Sequence, residues 1–449
     1  MCGITITNCS KNINLSTRIK PEEIKSLINL VIKSKKNRDI NQLLELVSNY
    51  KSDLNFLNYF KFKHERDQIK QCKKLLEKFK KENKNFISKN QKMLDILWFL
   101  DYELNNRFKF VKKFIGNTKY LDYTLIFFKT LNSVINSINL LEIRGRDSLG
   151  LMLSINLKKS NENIFWIKKN LKLRNYIKIN KNNIIVNVIY KNCNIFGSLG
   201  DNSKVILKKI KNDYAILKLL KSGLYESINI VAHTRWASVG PVEVENTHPL
   251  VNVLKSSSKM PTVFSVMNGD IYNYKNIISK NKKIKNINYN NNKKSDALAL
   301  SYLFMDNLIF DNKKKIKKKL SKIDGSFVAA VLSDEEISKI LIIKKGNLGL
   351  YYGKNNDREF FSSDIYGLVE ECKYFHEFKK NTFSILGQKK SFGLINKSQK
   401  LGKINITSRD VSKKNYSYYL EKEINEAPEI IDKTILNYID VKNVFSKKK

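Results

Sequence analysis

Cys2 follows the initiator methionine directly, in the stretch Met1-Cys2-Gly3-Ile4. Initiator methionine is normally trimmed when the second residue is small. Trimming would place a free α-amine on the same residue as the thiol. The reference pKa of such an amine, about 7.7–8.0, lets it accept a proton near neutral pH. The pair would be an N-terminal nucleophile: sulfur attacks a carbonyl carbon and the residue's own amine carries the proton. Gly3 would let the backbone approach a substrate closely. Read alone, Cys2 is equally an arbitrary second residue.

Four other places offer groups that such a nucleophile would use. Arg235, in His233-Thr234-Arg235-Trp236, carries a planar fork of donors suited to a carboxylate. Trp236 beside it could form an apolar cover. Asn268-Gly269 follows an apolar run and reads alone as a hairpin turn. The Asn amide and Gly N–H could instead form an oxyanion hole, each donor contributing about 2.7–4 kcal/mol. Ser295-Asp296 reads as an ordinary helix cap or as an acceptor for an ammonium group. Arg144-Gly145 reads as a turn leading into a strand.

These residues need elements to hold them. "ITIT" from Ile4 predicts a short strand. From Pro21 to Ile138 strand-like alternation is absent and the periodicity predicts helices. "PEEIKSLINLVIKSKK" opens with Pro21, Glu22 and Glu23, and "DINQLLELVSNY" puts Ile40, Leu43, Leu44 and Val47 on one face. From Arg144 onward the chain reads as strand-rich. "DSLGLMLSI", "NIFWIKK", "NIVAHTRWAS", "TVFSVMNGDIYNY", "GSFVAAVLSD", "KILIIKK", "LGLYYG" and "EFFSSD" are the expected strands. Residues 294–309 are expected as a helix on the sheet, and the end of the chain, after Ser408, as polar and then helical.

Composition narrows the partners. The 449 residues carry 83 Lys+Arg against 42 Asp+Glu, a net charge of +41. Lys rises together with Asn and Ile and is spread along the whole chain, which reads as codon bias rather than a patch for a polyanion. No nucleic-acid partner is expected. The 42% hydrophobic residues suffice for a real core. Five cysteines without a CxxC spacing imply no zinc site, no disulfide framework and a reducing, cytoplasmic setting. The N-terminus lacks a secretory pattern, and the most apolar run, Leu121–Leu141, is too polar to span a membrane.

Taken together and in order, the motifs resemble those of class II glutamine amidotransferases. They are Cys2-Gly3-Ile4, Arg144-Gly145-x-Asp147-Ser148-x-Gly150, His233-Thr234-Arg235-Trp236-Ala237, Glu245-Asn246-Thr247-His248-Pro249, Asn268-Gly269-Asp270-Ile271-Tyr272-Asn273, Ser295-Asp296, Asp324-Gly325-Ser326-Phe327 and Ser362-Ser363-Asp364. The resemblance points to the sugar branch, the glutamine–fructose-6-phosphate aminotransferases. It implies an α+β fold, the αββα N-terminal-nucleophile (Ntn) sandwich, here with a large all-helical insertion. The domain would comprise residues 1–9 and 138–400, with 10–137 as the insertion. Residues 401–449 resemble the linker into a sugar isomerase half, through Lys422-Glu423-Ile424 and Glu426-Ala427-Pro428, and the chain stops at Lys449 before any isomerase domain.

The resemblance also assigns roles. Cys2 would attack the side-chain amide of glutamine, and Asn268 and Gly269 would hold the oxyanion. Arg235 would clamp the substrate α-carboxylate and Asp296 its α-ammonium. Trp236 would lie in a loop that closes over the site, with Ser238 where relatives usually have Thr. Arg144 and Gly145 would sit against the Cys2 end, and His248 would be structural. No cofactor and no metal are implied. Glutamine is the expected substrate, ammonia for glucosamine-6-phosphate synthesis the expected use, and a separate sugar-phosphate isomerase subunit and a homo-oligomer the expected partners. Two alternatives stay open: a non-catalytic binding or regulatory subunit, and an amidotransferase with another ammonia acceptor.

Overall fold

The computed structural model describes residues 2–11, 18–88, 90–117, 120–171, 176–194, 198–237, 240–252, 261–285, 295–305, 310, 312–387, 401–413 and 416–438. It divides into two units, Met1–Asn405 and Ile406–Lys449. The second contains the short helix Ser408–Val411 and the helix Tyr419–Tyr438.

The strands are β1 (Gly3–Ser10), β2 (Ser148–Lys158), β3 (Ile177–Ile179), β4 (Asn183–Cys193), β5 (Tyr225–Arg235), β6 (Leu250–Val251), β7 (Val263–Ile271), β8 (Gly325–Ser333), β9 (Ile340–Lys345), β10 (Tyr351–Lys354), β11 (Glu359–Ser362), β12 (Tyr374–Glu377), β13 (Thr382–Leu386) and β14 (Gly402–Lys403). One sheet has the order β14-β12-β10-β11-β1-β5-β2-β4-β3 and the other β13-β9-β8-β7-β6. Neighbouring strands pair antiparallel throughout.

Alternation along each strand builds the layers. On β1, Ile4 and Ile6 enter a core shared with Phe264 and Val266 of β7 and Val328 and Ala330 of β8. Cys9 of the same strand turns the other way, into a core of helices that includes Phe127 and Leu131. On β7 and β8, Val263, Met267, Phe327 and Ala329 face a third core against Leu300 and Phe304. Successive side chains point to opposite faces, and here both faces are covered. The result is helices, sheet, sheet, helices, the αββα sandwich expected from the motifs.

Helix Asp122–Leu141 is buried nearly all round, so it must lie in the interior. It packs on β1 and β5. The preceding helices, from Pro21–Ser34 to Leu104–Ile115, join it in the same core, where Ile28, Leu43 and Leu76 meet the cluster that holds Leu151 and Ile230. Buried ion pairs also link this block to the sheet. Lys129 Nζ meets Asp53 Oδ1 at 2.7 Å, and Arg358, just before β11, pairs with the same carboxylate. Arg107 Nη2 lies 2.6 Å from Glu371 and 3.0 Å from Glu370.

Some expectations change. "NIFWIKK" is not a strand but part of helix Asn161–Asn170. Ser160 Oγ caps it by accepting from Asn163 N, Lys168 and Lys169 close it, and Phe165 stays 68% exposed rather than alternating into a sheet. The helix expected over 294–309 is confined to Leu298–Leu303 among the described residues. Strand β4 and the helices Asp201–Asn212 and Tyr214–Ser222 had no motif to announce them. Among the described residues, no helix is long and apolar enough to cross a membrane.

Candidate active site

Cys2 sits at the head of the central strand of the larger sheet. The register places Gly3 opposite Thr234 on β5, and Ser148 of β2 opposite Arg235. Thus one end of three adjacent strands collects Cys2, Arg235 and the segment after Gly145. Ser363 anchors this end: its Oγ accepts from Ile4 N at 2.9 Å and its N–H donates to Ile4 O at 3.0 Å. Gly3 packs closely on the helix behind the strand. A Cβ there would lie 2.5 Å from Leu141 Cβ, so the glycine lets β1 press onto the helix behind it.

The second sheet supplies Asn268. Its Oδ1 accepts from Cys2 N at 3.2 Å and its Nδ2 donates to Cys2 O at 2.8 Å. Gly269 follows at φ 111°, a left-handed conformation that disfavours side chains. A Cβ there would also lie 2.2 Å from Ser326 O.

The Cys2 thiol is held by the peptide of Trp236. Trp236 N donates to Sγ at 3.3 Å, and its carbonyl lies 3.5 Å from Sγ. Burial raises the thiol pKa, while the Trp236 N–H and the nearby Arg235 charge pull it back only in part. The thiol therefore needs a base. The two histidines nearby are engaged elsewhere. His233 Nε2 lies 2.8 Å from Met267 O, and His248 Nδ1 accepts from Met267 N at 3.2 Å. Their rings lie 4.2 Å apart, and His248 Nε2 reaches Ser295 Oγ at 3.4 Å. This pattern requires Nε2–H tautomers for both rings. Burial drives the His233 pKa down to about 3 and that of His248 well below its ordinary value. The pair is neutral and grips the residue before Asn268.

Arg235 is buried at the end of β5. Its guanidinium donates to Pro241 O at 3.1 Å and Gly240 O at 3.5 Å. Burial lowers its pKa; Cys2, Asp147 and Asp296 act against that. Asp296 is also buried, its Oδ2 accepting from Ile271 N at 2.7 Å and its Oδ1 from Ala297 N at 3.0 Å. Burial raises its pKa, and the neighbouring Asp270 adds to this. Trp236, by contrast, leaves its side chain 59% exposed. Gly145 is buried, and its carbonyl accepts from Thr234 Oγ1. Arg144 ends the 3-10 turn Glu142–Arg144. Its side chain, and Ser238 altogether, lie outside the described residues.

Asp147 went unassigned in the sequence reading although it stands inside the Arg-Gly motif. Its N–H donates to Arg235 O at 3.0 Å and its Oδ2 accepts from Ala237 N at 2.9 Å. It thus clasps the chain on both sides of Trp236 and aims the Trp236 N–H at sulfur. Asp270 was missed too; its place directly after Asn268-Gly269 was the available signal. Among the described residues, no group of three or more His, Cys, Asp or Glu is arranged to hold a metal.

Comparison with known proteins finds relatives among glutamine amidotransferases. Residues 245–370 match the family profile of the glutamine amidotransferase domain. The chain is 30% identical over 316 residues to a glutamine–fructose-6-phosphate aminotransferase (isomerizing) of Buchnera aphidicola subsp. Baizongia pistaciae, covering 69% of this chain and 43% of that protein. It is 28% identical over 239 residues to the same enzyme of Buchnera aphidicola subsp. Acyrthosiphon pisum, covering 51% of this chain and 36% of that one. The chain therefore spans less than half the length of these relatives. Among solved structures, glutamine phosphoribosylpyrophosphate amidotransferase from B. subtilis overlaps at a TM-score of 0.39 with 14% identity, covering 61% of this chain and 46% of that one.

Proposed function

We propose, for a chain that carries a class II glutamine amidotransferase domain related to the N-terminal part of glutamine–fructose-6-phosphate aminotransferases, that it hydrolyses glutamine to glutamate and ammonia through Cys2. The observation that carries the proposal is the double hold of Asn268 on Cys2 beside a thiol that exchanges hydrogen bonds with the Trp236 peptide.

The chemistry runs through groups already in place. Removal of Met1 converts the Cys2 nitrogen into an amine on the same residue as the sulfur. The amine takes the thiol proton, and sulfur attacks the amide carbon of glutamine. The second N–H of the Asn268 amide and the backbone N–H of Gly269 receive the oxyanion. The amine returns its proton to the leaving ammonia, and water then releases glutamate from the thioester. Arg235 turns from the carbonyls of residues 240–241 to the substrate carboxylate, and Asp296 with Asp270 takes the substrate ammonium. The ammonia serves amino-sugar synthesis, with a sugar-phosphate acceptor; the likeness to the Buchnera enzymes supports this choice.

The test is release of glutamate and ammonia from glutamine by the purified chain. Wild type should turn over and Cys2→Ala should not. Equal rates in the two would remove Cys2 from the reaction. Glucosamine-6-phosphate formation on adding fructose-6-phosphate and an isomerase half would support the acceptor.

A further inference from the structure

The helical block contains a cleft of about 580 Å³, within the range of small-ligand sites. Phe60 and Phe108 line it, their ring centroids 5.2 Å apart. Tyr120 and Leu125 form part of its wall. Two cations lie near the Phe108 ring. The Arg66 guanidinium lies 5.1 Å from its centroid, and the Lys112 ammonium 5.9 Å. Arg66 is fixed there, because its Nη1 donates to the carbonyls of Tyr59 at 2.9 Å and Phe60 at 2.7 Å. No carboxylate lines the cleft among the described residues.

We propose that this cleft binds a small organic anion with a flat apolar body. The apolar body would lie against Phe60 and Phe108 and exclude water from them. The anionic group would meet Lys112 and the outer edge of Arg66. A neutral ring would forgo the ion pairing and leave two cations facing apolar surface. An inorganic anion would forgo the stacking. The volume suits a molecule of cofactor size. The occupant would touch Leu125 near the start of helix Asp122–Leu141, whose far end lies against Gly3 beside Cys2. The inference stands on the cleft alone and does not rest on the glutaminase reading.

The probe is 8-anilinonaphthalene-1-sulfonate, titrated into the full chain by fluorescence. We expect saturable binding at one site per chain. Lys112→Glu, a change at an exposed position, should weaken it about tenfold or more, and so should Phe108→Leu with the fold intact by circular dichroism. N-phenyl-1-naphthylamine, the same rings without the sulfonate, should also bind at least tenfold more weakly. Lys318→Glu, on the separate helix Lys313–Leu320, should change nothing. Absence of binding, equal binding by wild type and Lys112→Glu, or an equal loss in Lys318→Glu would overturn the proposal.

Discussion

Asn268 holds Cys2 at both ends of its backbone, accepting from its nitrogen at 3.2 Å and donating to its carbonyl at 2.8 Å. The contact joins the two sheets at the one point where the candidate nucleophile lies. It uses one of the two N–H groups of the amide, and the other is the one proposed above for the oxyanion. Asn268→Ala should lower kcat by about 10²–10³, the range for loss of an oxyanion donor, with a smaller change in KM. Steady-state glutamine hydrolysis checks it; an unchanged kcat would take Asn268 out of the site.

Asp147 acts at one remove, through the peptide of Trp236. Asp147→Ala leaves Ala237 N without its acceptor and frees the segment that aims a donor at the thiol. We expect a fall in kcat with the protein still folded. The rate of Cys2 alkylation by iodoacetamide should change as well. A variant that differs from wild type in neither would leave Asp147 a merely structural residue.

The pH profile follows from the thiol and the amine. Burial keeps the thiol protonated near neutrality, so turnover needs the amine in its basic form. Glutamine hydrolysis should therefore fall as pH drops below the amine pKa, about 7.7–8.0 in the absence of perturbation. A rate constant flat from pH 6 to 9 would exclude the amine as base.

The paired histidines set a second pH dependence, of stability. His233 titrates near 3 in the fold and near its ordinary 6.5 when unfolded, and His248 is lowered in the same sense. The unfolded chain therefore binds protons that the folded chain refuses. Stability from this pair is full above about pH 6.5 and is lost as pH falls toward 3, by about 1.4 kcal/mol per pH unit for each proton taken up. Urea unfolding between pH 7 and 5 reads the slope, which should shrink in His233→Phe.

The helical block should be inseparable from the sandwich. Arg107 is buried between Glu370 and Glu371. Burial pushes Glu370 up to about 7; burial acts on Glu371 too, but Arg107 and Lys129 hold that carboxyl down at about 2. Arg107→Ala would strand at least one buried carboxylate and should cost about 3–5 kcal/mol. Thermal unfolding would show it as a lower, single transition.

Much of this site was legible in the sequence because its residues sit in short contiguous motifs. Cys2 stands just before β1, Arg235 ends β5, Asn268 and Gly269 lie in the second half of β7, and Asp296 precedes helix Leu298–Leu303; the strands around them read as apolar runs. What sequence could not show was the partner of each group. Nothing local says that Asn268 would grip Cys2, 266 positions away, or that both histidines would turn to Met267. "NIFWIKK" misled because a short apolar run fits helix and strand alike, and Ser160 decided between them. The shared core of helical block and sheet depends on pairs such as Arg107 and Glu371, which lie far apart in the chain.

The central claim is that Cys2 is an N-terminal nucleophile for glutamine. The most direct measurement is mass spectrometry of the purified chain after exposure to 6-diazo-5-oxo-norleucine, a glutamine analogue with an electrophilic carbon. The expected product is a chain that begins at Cys2 and carries one adduct on that residue, blocked by excess glutamine. Retained Met1, or an adduct only on Cys9, Cys72, Cys193 or Cys372, would contradict it.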